Sequence, residues 1–203
     1  DLARACLLTG LWGFVATTFV VVAHRMIPFF TASALPMVSV WRPHWVLALM
    51  LFALGMKTLS VWTAWAGLTS GGWALAHGFW MLVSGVLLLW LAVVWGLMQS
   101  LRIKLLAMLH LGFVWLGVAF CLDAFTVGMR AQGVDIPTLL PLHALTMGFL
   151  GSVLLAMVTR VSCGHSGRVL AADAMAWGLF WGLQLATLTR LTATLWPAQA
   201  SIL

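Results

Sequence analysis

The sequence predicts an all-α fold, a polytopic integral membrane helix bundle of about six transmembrane helices. Three observations carry that prediction. First, 64% of residues are hydrophobic, only 7% are charged, and the mean hydropathy is +1.10. Second, the apolar residues gather into runs of roughly 20, the length that crosses about 30 Å of hydrocarbon as helix. Third, those runs lack the alternation that a barrel strand needs. Four acidic and ten basic side chains among 203 residues are too few to coat a water-soluble globule. The solvent must therefore be lipid.

In chain order the runs are Ala5 to Ala23, His44 to Ala66, Trp73 to Gln99, Lys104 to Thr126, Leu139 to Val161 and Ala172 to Trp196. Each is expected to be helical, because backbone amides in lipid are satisfied only within the segment or in a closed barrel. The connectors carry breakers: Pro28 and Pro36 in the first, Thr69-Ser70-Gly71-Gly72 in the second, and Gln132 to Pro137 in the fourth. Alternating the connectors between two sides gives one face Arg25, Arg42, Arg102, Lys104, Arg160 and Arg168. The other face receives only Arg4 and Arg130 outside the spans, so the first is read as cytoplasmic. The net charge of +6 then reflects membrane orientation and not a nucleic-acid partner. Both chain ends fall on the outer side, which reads as one transmembrane domain over 1–203 taken from a longer protein. Cys6, Cys121 and Cys163 show no C-x-x-C spacing and read as buried thiols. On the fifth helix, Ala144, Gly148, Ser152 and Ala156 form a small-residue seam for close helix packing. Trp41, Trp45, Trp73 and Trp196 stand at span ends, where indole favours the headgroup region.

Ionisable groups at membrane depth are costly, so they tend to face the bundle interior, pair with one another and mark functional sites. His77 on the third helix and His143 on the fifth both lie roughly 6 Å in from the outer side. Lys57 on the second helix, Asp123 on the fourth and Arg190 on the sixth fall at depths of roughly 4 to 14 Å. Five helices thus each place one polar group in one layer. Two neutral histidines on facing helices can ligate haem iron or copper, with Lys57 and Arg190 able to pair haem propionates. Met81 and Met147 each follow a histidine by four residues, a thioether arrangement that suits Cu(I). Two other readings stay open for these histidines: interhelical hydrogen bonding and a proton or ion path. Asp123 is expected to pair with Lys57 or Arg190, since an unpaired buried carboxylate is costly. His110 lies about 9 Å inside the fourth helix from the other face, where it can form a second site with His24, His44 or His165. The glycine-containing segment Arg160 to Arg168 reads as a turn that holds an anion, or as a plain helix cap.

Three segments then resemble one known family. The run His143-Ala-Leu-Thr-Met-Gly-Phe-Leu-Gly-Ser-Val-Leu-Leu-Ala-Met-Val-Thr-Arg-Val-Ser-Cys-Gly-His-Ser-Gly-Arg168 resembles the signature of the NnrS family. Arg25-Met-Ile-Pro-Phe-Phe-Thr31 resembles its Arg-x-Ile-Pro-x-Phe-Thr loop, and Leu109-His-Leu-Gly-Phe-Val-Trp115 resembles its Leu-His-x-Gly-x-x-Trp helix start. The sequence departs from the pattern at Cys163, where an apolar residue is expected, and at Ser166, where Thr is commoner. The resemblance implies a bacterial inner-membrane protein of about twelve spans of the length lipid demands. It also implies haem and copper as cofactors, and a part in nitric oxide metabolism and tolerance of nitrosative stress. The chain would be the middle-to-late half, completed by missing helices of the same protein.

Depth and resemblance together name the candidate cofactor-binding residues: His77, His143, His110, Lys57, Arg190, Arg160 and Arg168. Candidate metal ligands are His77, His143, His110 and His165. Arg25 gains weight from the motif, whereas His77 rests on depth. The leading functional expectation is a haem-binding protein, with copper second, that meets nitric oxide or a related small ligand in the bilayer. The alternative is a membrane transporter or exporter of a metal or small solute, its path lined by Lys57, Asp123 and Arg190. A third reading, a scaffold for partner redox proteins, would need long soluble loops that this sequence lacks.

Overall fold

The computed structural model describes residues 1–35, 41–134, 136–167 and 169–195, and its regular structure among them is entirely helical. We number the long helices α1 (Leu2–Ala34), α2 (His44–Trp65), α3 (Gly71–Val94), α4 (Lys104–Ala131), α5 (Leu139–His165) and α6 (Ala174–Leu195). Among the described residues, α1 to α5 are long and apolar enough to cross a membrane. The chain is thus an all-α, multi-pass membrane bundle. The sixth helix forms as expected, with 22 residues, but falls outside that apolar group. It carries Gln184, Arg190, Thr187, Thr189, Thr192 and Thr194.

The first connector is shorter than the sequence suggests, because α1 runs on to Ala34 and takes in Arg25, Pro28 and Thr31. Proline removes one helical donor, a loss that membrane helices tolerate when neighbouring groups compensate. The carbonyl that loses its donor is that of His24, and the Thr31 and Ser33 hydroxyls donate to those of Ile27 and Phe29, both at 2.8 Å. Arg25 is therefore an exposed residue on a helix and not part of a loop. The same correction applies after Val161, where α5 continues to His165 and holds Arg160 and Cys163 in regular helix. The left-handed glycine that follows is Gly167, at φ +65. Arg168 lies outside the described residues, as do Pro36, Asp135 and Trp196. Gly96, at φ 93, ends α3 and leads into a single helical turn, Leu97–Ser100, before α4.

Helix α4 organises the bundle. It packs on α1, α3 and α5, while α3 and α5 share no comparable interface with each other. Small residues set these distances. A Cβ on Gly85 of α3 would lie 2.8 Å from the Gly117 carbonyl of α4 and 2.6 Å from the Cys121 sulfur, so only glycine permits that approach. On the other flank, a Cβ on Gly148 would fall 2.5 Å from the Trp115 ring, and one on Gly112 would lie 3.0 Å from Ser152. The seam read from the sequence is the one used, since Ala144, Gly148, Ser152 and Ala156 are all buried. Over Ala144–Gly151 the helix is wound as a wider π-helix, directly beyond His143. Phe14, Phe79, Met175 and Leu188 are exposed on the outside of the bundle, where lipid takes the place of water.

Candidate functional site

The polar groups sort into two levels. At the level nearer Arg4 and Arg130, α2, α3 and α4 bring together Lys57, His77 and Asp123. The Lys57 ammonium donates to Asp123 Oδ1 at 2.5 Å, and the His77 Nε2 lies 3.7 Å from Asp123 Oδ2. Burial is deep: side-chain exposure is 4% for Asp123, 5% for His77 and 17% for Lys57. The expected pairing of Asp123 with Lys57 is therefore present. Trp12 adds its ring face 5.6 Å from the Lys57 ammonium. His77 Nε2 and Asp123 Oδ2 are both buried without a hydrogen-bond partner. Buried polar atoms are nearly always satisfied, and these two face each other beyond hydrogen-bond distance.

His143 and Arg190, at the same end, form a separate pair. The Arg190 Nε donates to His143 Nε2 at 3.3 Å, with His143 half-buried and Arg190 exposed. Neither a hydrogen bond nor a ring contact joins His77 to His143, and each turns to a partner on a different helix. Met81 is fully buried one turn beyond His77.

At the opposite level, His110 is completely buried and both its nitrogens lie close to protein oxygens. Nδ1 lies 3.2 Å from the Leu106 carbonyl, while Nε2 lies 3.2 Å from the Trp95 carbonyl and 3.3 Å from the Thr31 hydroxyl. The Trp95 carbonyl is available because α3 has just ended at Gly96. Trp95 also donates its indole N–H to the Trp41 carbonyl at 2.9 Å and packs edge-on against the His24 ring at 6.1 Å. His24 Nε2 is itself 3.2 Å from the Pro43 carbonyl. Arg160 lays its guanidinium on the Phe30 ring at 3.7 Å. His165 is exposed at the end of α5 and touches none of these groups.

Here the three motif segments meet. Thr31 of the first reaches His110 of the second, Phe30 of the first reaches Arg160 of the third, and Gly148 of the third seats Trp115 of the second. Trp115 then donates to the Gln184 side-chain oxygen at 2.7 Å, and Gln184 donates to Ser152 at 2.8 Å. A family model described as NnrS protein matches residues 1–203. The chain belongs to the NnrS family. No curated protein and no solved structure matches it.

For this NnrS-family chain the motif residues thus form the contact between α1, α4 and α5, while the unpartnered atoms of His77 and Asp123 lie at the other level; Trp80, Ser84 and Ser100 also hold buried side-chain atoms without a partner. Sequence reading found Lys57, Asp123 and His77 as a layer but missed that Asp123 also faces His77. It also missed the Trp95 carbonyl and Thr31 as the partners of His110. A backbone carbonyl freed at a helix end leaves little trace in a sequence beyond the glycine that follows it. Among the described residues no three His, Cys, Asp or Glu side chains gather as a group able to hold a metal ion.

Proposed function

We propose that this NnrS-family protein binds haem within the bacterial inner membrane, with His77 as the residue that would hold the iron, and acts on or senses nitric oxide under nitrosative stress. The observation that carries the reading is the His77 Nε2, buried and without a hydrogen-bond partner. A bare ion would need three or four protein donors in one place. Haem brings four nitrogens of its own and asks the protein for only one or two axial side chains. One free imidazole therefore fits haem better than a bare copper ion, and copper stands second, with Met81 as the soft group near His77.

Haem held by His77 would supply an iron able to take up a diatomic ligand. The rest is the work of the chain. Asp123, held by Lys57, places Oδ2 3.7 Å from His77 Nε2, so its carboxylate would lie beside the iron-binding nitrogen as a local acceptor. Lys57 balances the Asp123 charge, so the group can stay in a low-dielectric interior. Trp12 and Met81, both buried, help exclude water from this level. The His143 and Arg190 pair offers a cation for a propionate at the same end.

Purified full-length protein from haem-sufficient cells is expected to show a haem spectrum that shifts on reduction and again on adding nitric oxide, with iron present. A colourless, metal-free preparation would instead favour solute transport along Lys57, Asp123 and Arg190.

A further inference from the structure

A cavity of about 470 Å³ lies between α1, α2 and the start of α5, and the site described above uses two of its lining side chains, Lys57 and Trp12. Its walls are mostly apolar, with Leu7, Leu8, Val61, Trp65 and Leu142 among them. Two cations line it at different depths. Arg4 is exposed and donates from Nη2 to the Thr138 hydroxyl at 2.8 Å. Lys57 lies about two helical turns below the end of α2 and is neutralised by Asp123. Among the described residues Arg4 makes no ion pair, and the acid in the lining, Asp1, accepts from the Ala3 N–H at 3.0 Å through Oδ1.

Position decides what such a cavity suits. Arg4 is in the first turn of α1, Trp65 is the last residue of α2, and Thr138 immediately precedes α5. All three are therefore at the level of lipid headgroups, and the apolar walls continue inward toward Lys57. A free inorganic anion would meet the Arg4 guanidinium and gain nothing from those walls. An anionic phospholipid would place its phosphate on the Arg4 guanidinium and lay its upper acyl carbons on Leu8, Val61 and Leu142.

We propose that this cavity is a binding site for an anionic phospholipid, with Arg4 and Thr138 as the phosphate partners and the α1, α2 and α5 walls holding the acyl chain. The full-length protein is reconstituted in vesicles of equimolar phosphatidylglycerol and phosphatidylcholine, extracted in mild detergent, and its retained lipid is quantified. Phosphatidylglycerol is expected to be retained over phosphatidylcholine by about fivefold, the worth of one arginine at a membrane surface. Arg4→Gln should remove the preference and Arg4→Lys should keep most of it. Val61→Trp, which fills the cavity from another wall and leaves Arg4 in place, should also abolish retention. Equal retention of both lipids by the unaltered protein, or an undiminished preference in Arg4→Gln, would overturn the proposal. So would displacement of the lipid by inorganic phosphate, which would make this a site for small anions.

Discussion

Replacing Asp123 with alanine is expected to cost about 3 kcal/mol of stability, because it strands the Lys57 ammonium inside the bundle. The ion pair is close and its carboxylate is buried, and among the described residues the lysine has no other acid within ion-pair distance. Removing one partner of a buried pair is far worse than removing both, since the survivor keeps its desolvation penalty and loses its compensation. The double variant Lys57→Met, Asp123→Leu should therefore return to within about 1 kcal/mol of the unaltered protein. Denaturant unfolding in detergent micelles checks this. A double variant no more stable than Asp123→Ala alone would mean that the pair is not the source of the loss.

His110→Ala is expected to lose more, about 3 to 5 kcal/mol, from the vacated volume and from the groups left facing it. The imidazole is wholly enclosed, and it joins the end of α3, through the Trp95 carbonyl, to Thr31 of α1. Its ring already faces protein groups on both sides, so the fraction that folds should keep the haem proposed at His77. Full stability in this variant would show that the three-helix contact around His110 does not hold the bundle together.

Hydropathy reports how deep a residue lies along a helix axis and says little of which way it points. That division explains what could be read from the chain. The antiparallel order and the layer containing Lys57, His77 and Asp123 follow from span lengths, and the structure puts those three side chains together. The small-residue seam of α5 is legible because its four-residue period fixes one face. Rotation about each axis, by contrast, is set by packing. Depth alone placed His77 and His143 in one stratum, yet α4 packs against both of their helices and each imidazole turns to a different partner. Pro28 and the neighbouring Arg25 read as a connector because proline punctuates and arginine marks aqueous loops. The helix continues through both, with Arg25 on its exposed side.

Assigning haem to the orphaned imidazole separates two histidines that sequence alone treats alike. The direct measurement compares full-length His77→Ala and His110→Ala, each purified in detergent, by visible spectrum and iron content per folded protein. Losing an outer-shell partner already weakens metal binding 10- to 100-fold, so loss of the ligand itself should cut retained haem about tenfold or more in His77→Ala. His110→Ala should stay coloured in proportion to its folded fraction. An unchanged spectrum and iron content in His77→Ala, or haem lost only in His110→Ala, would contradict the assignment.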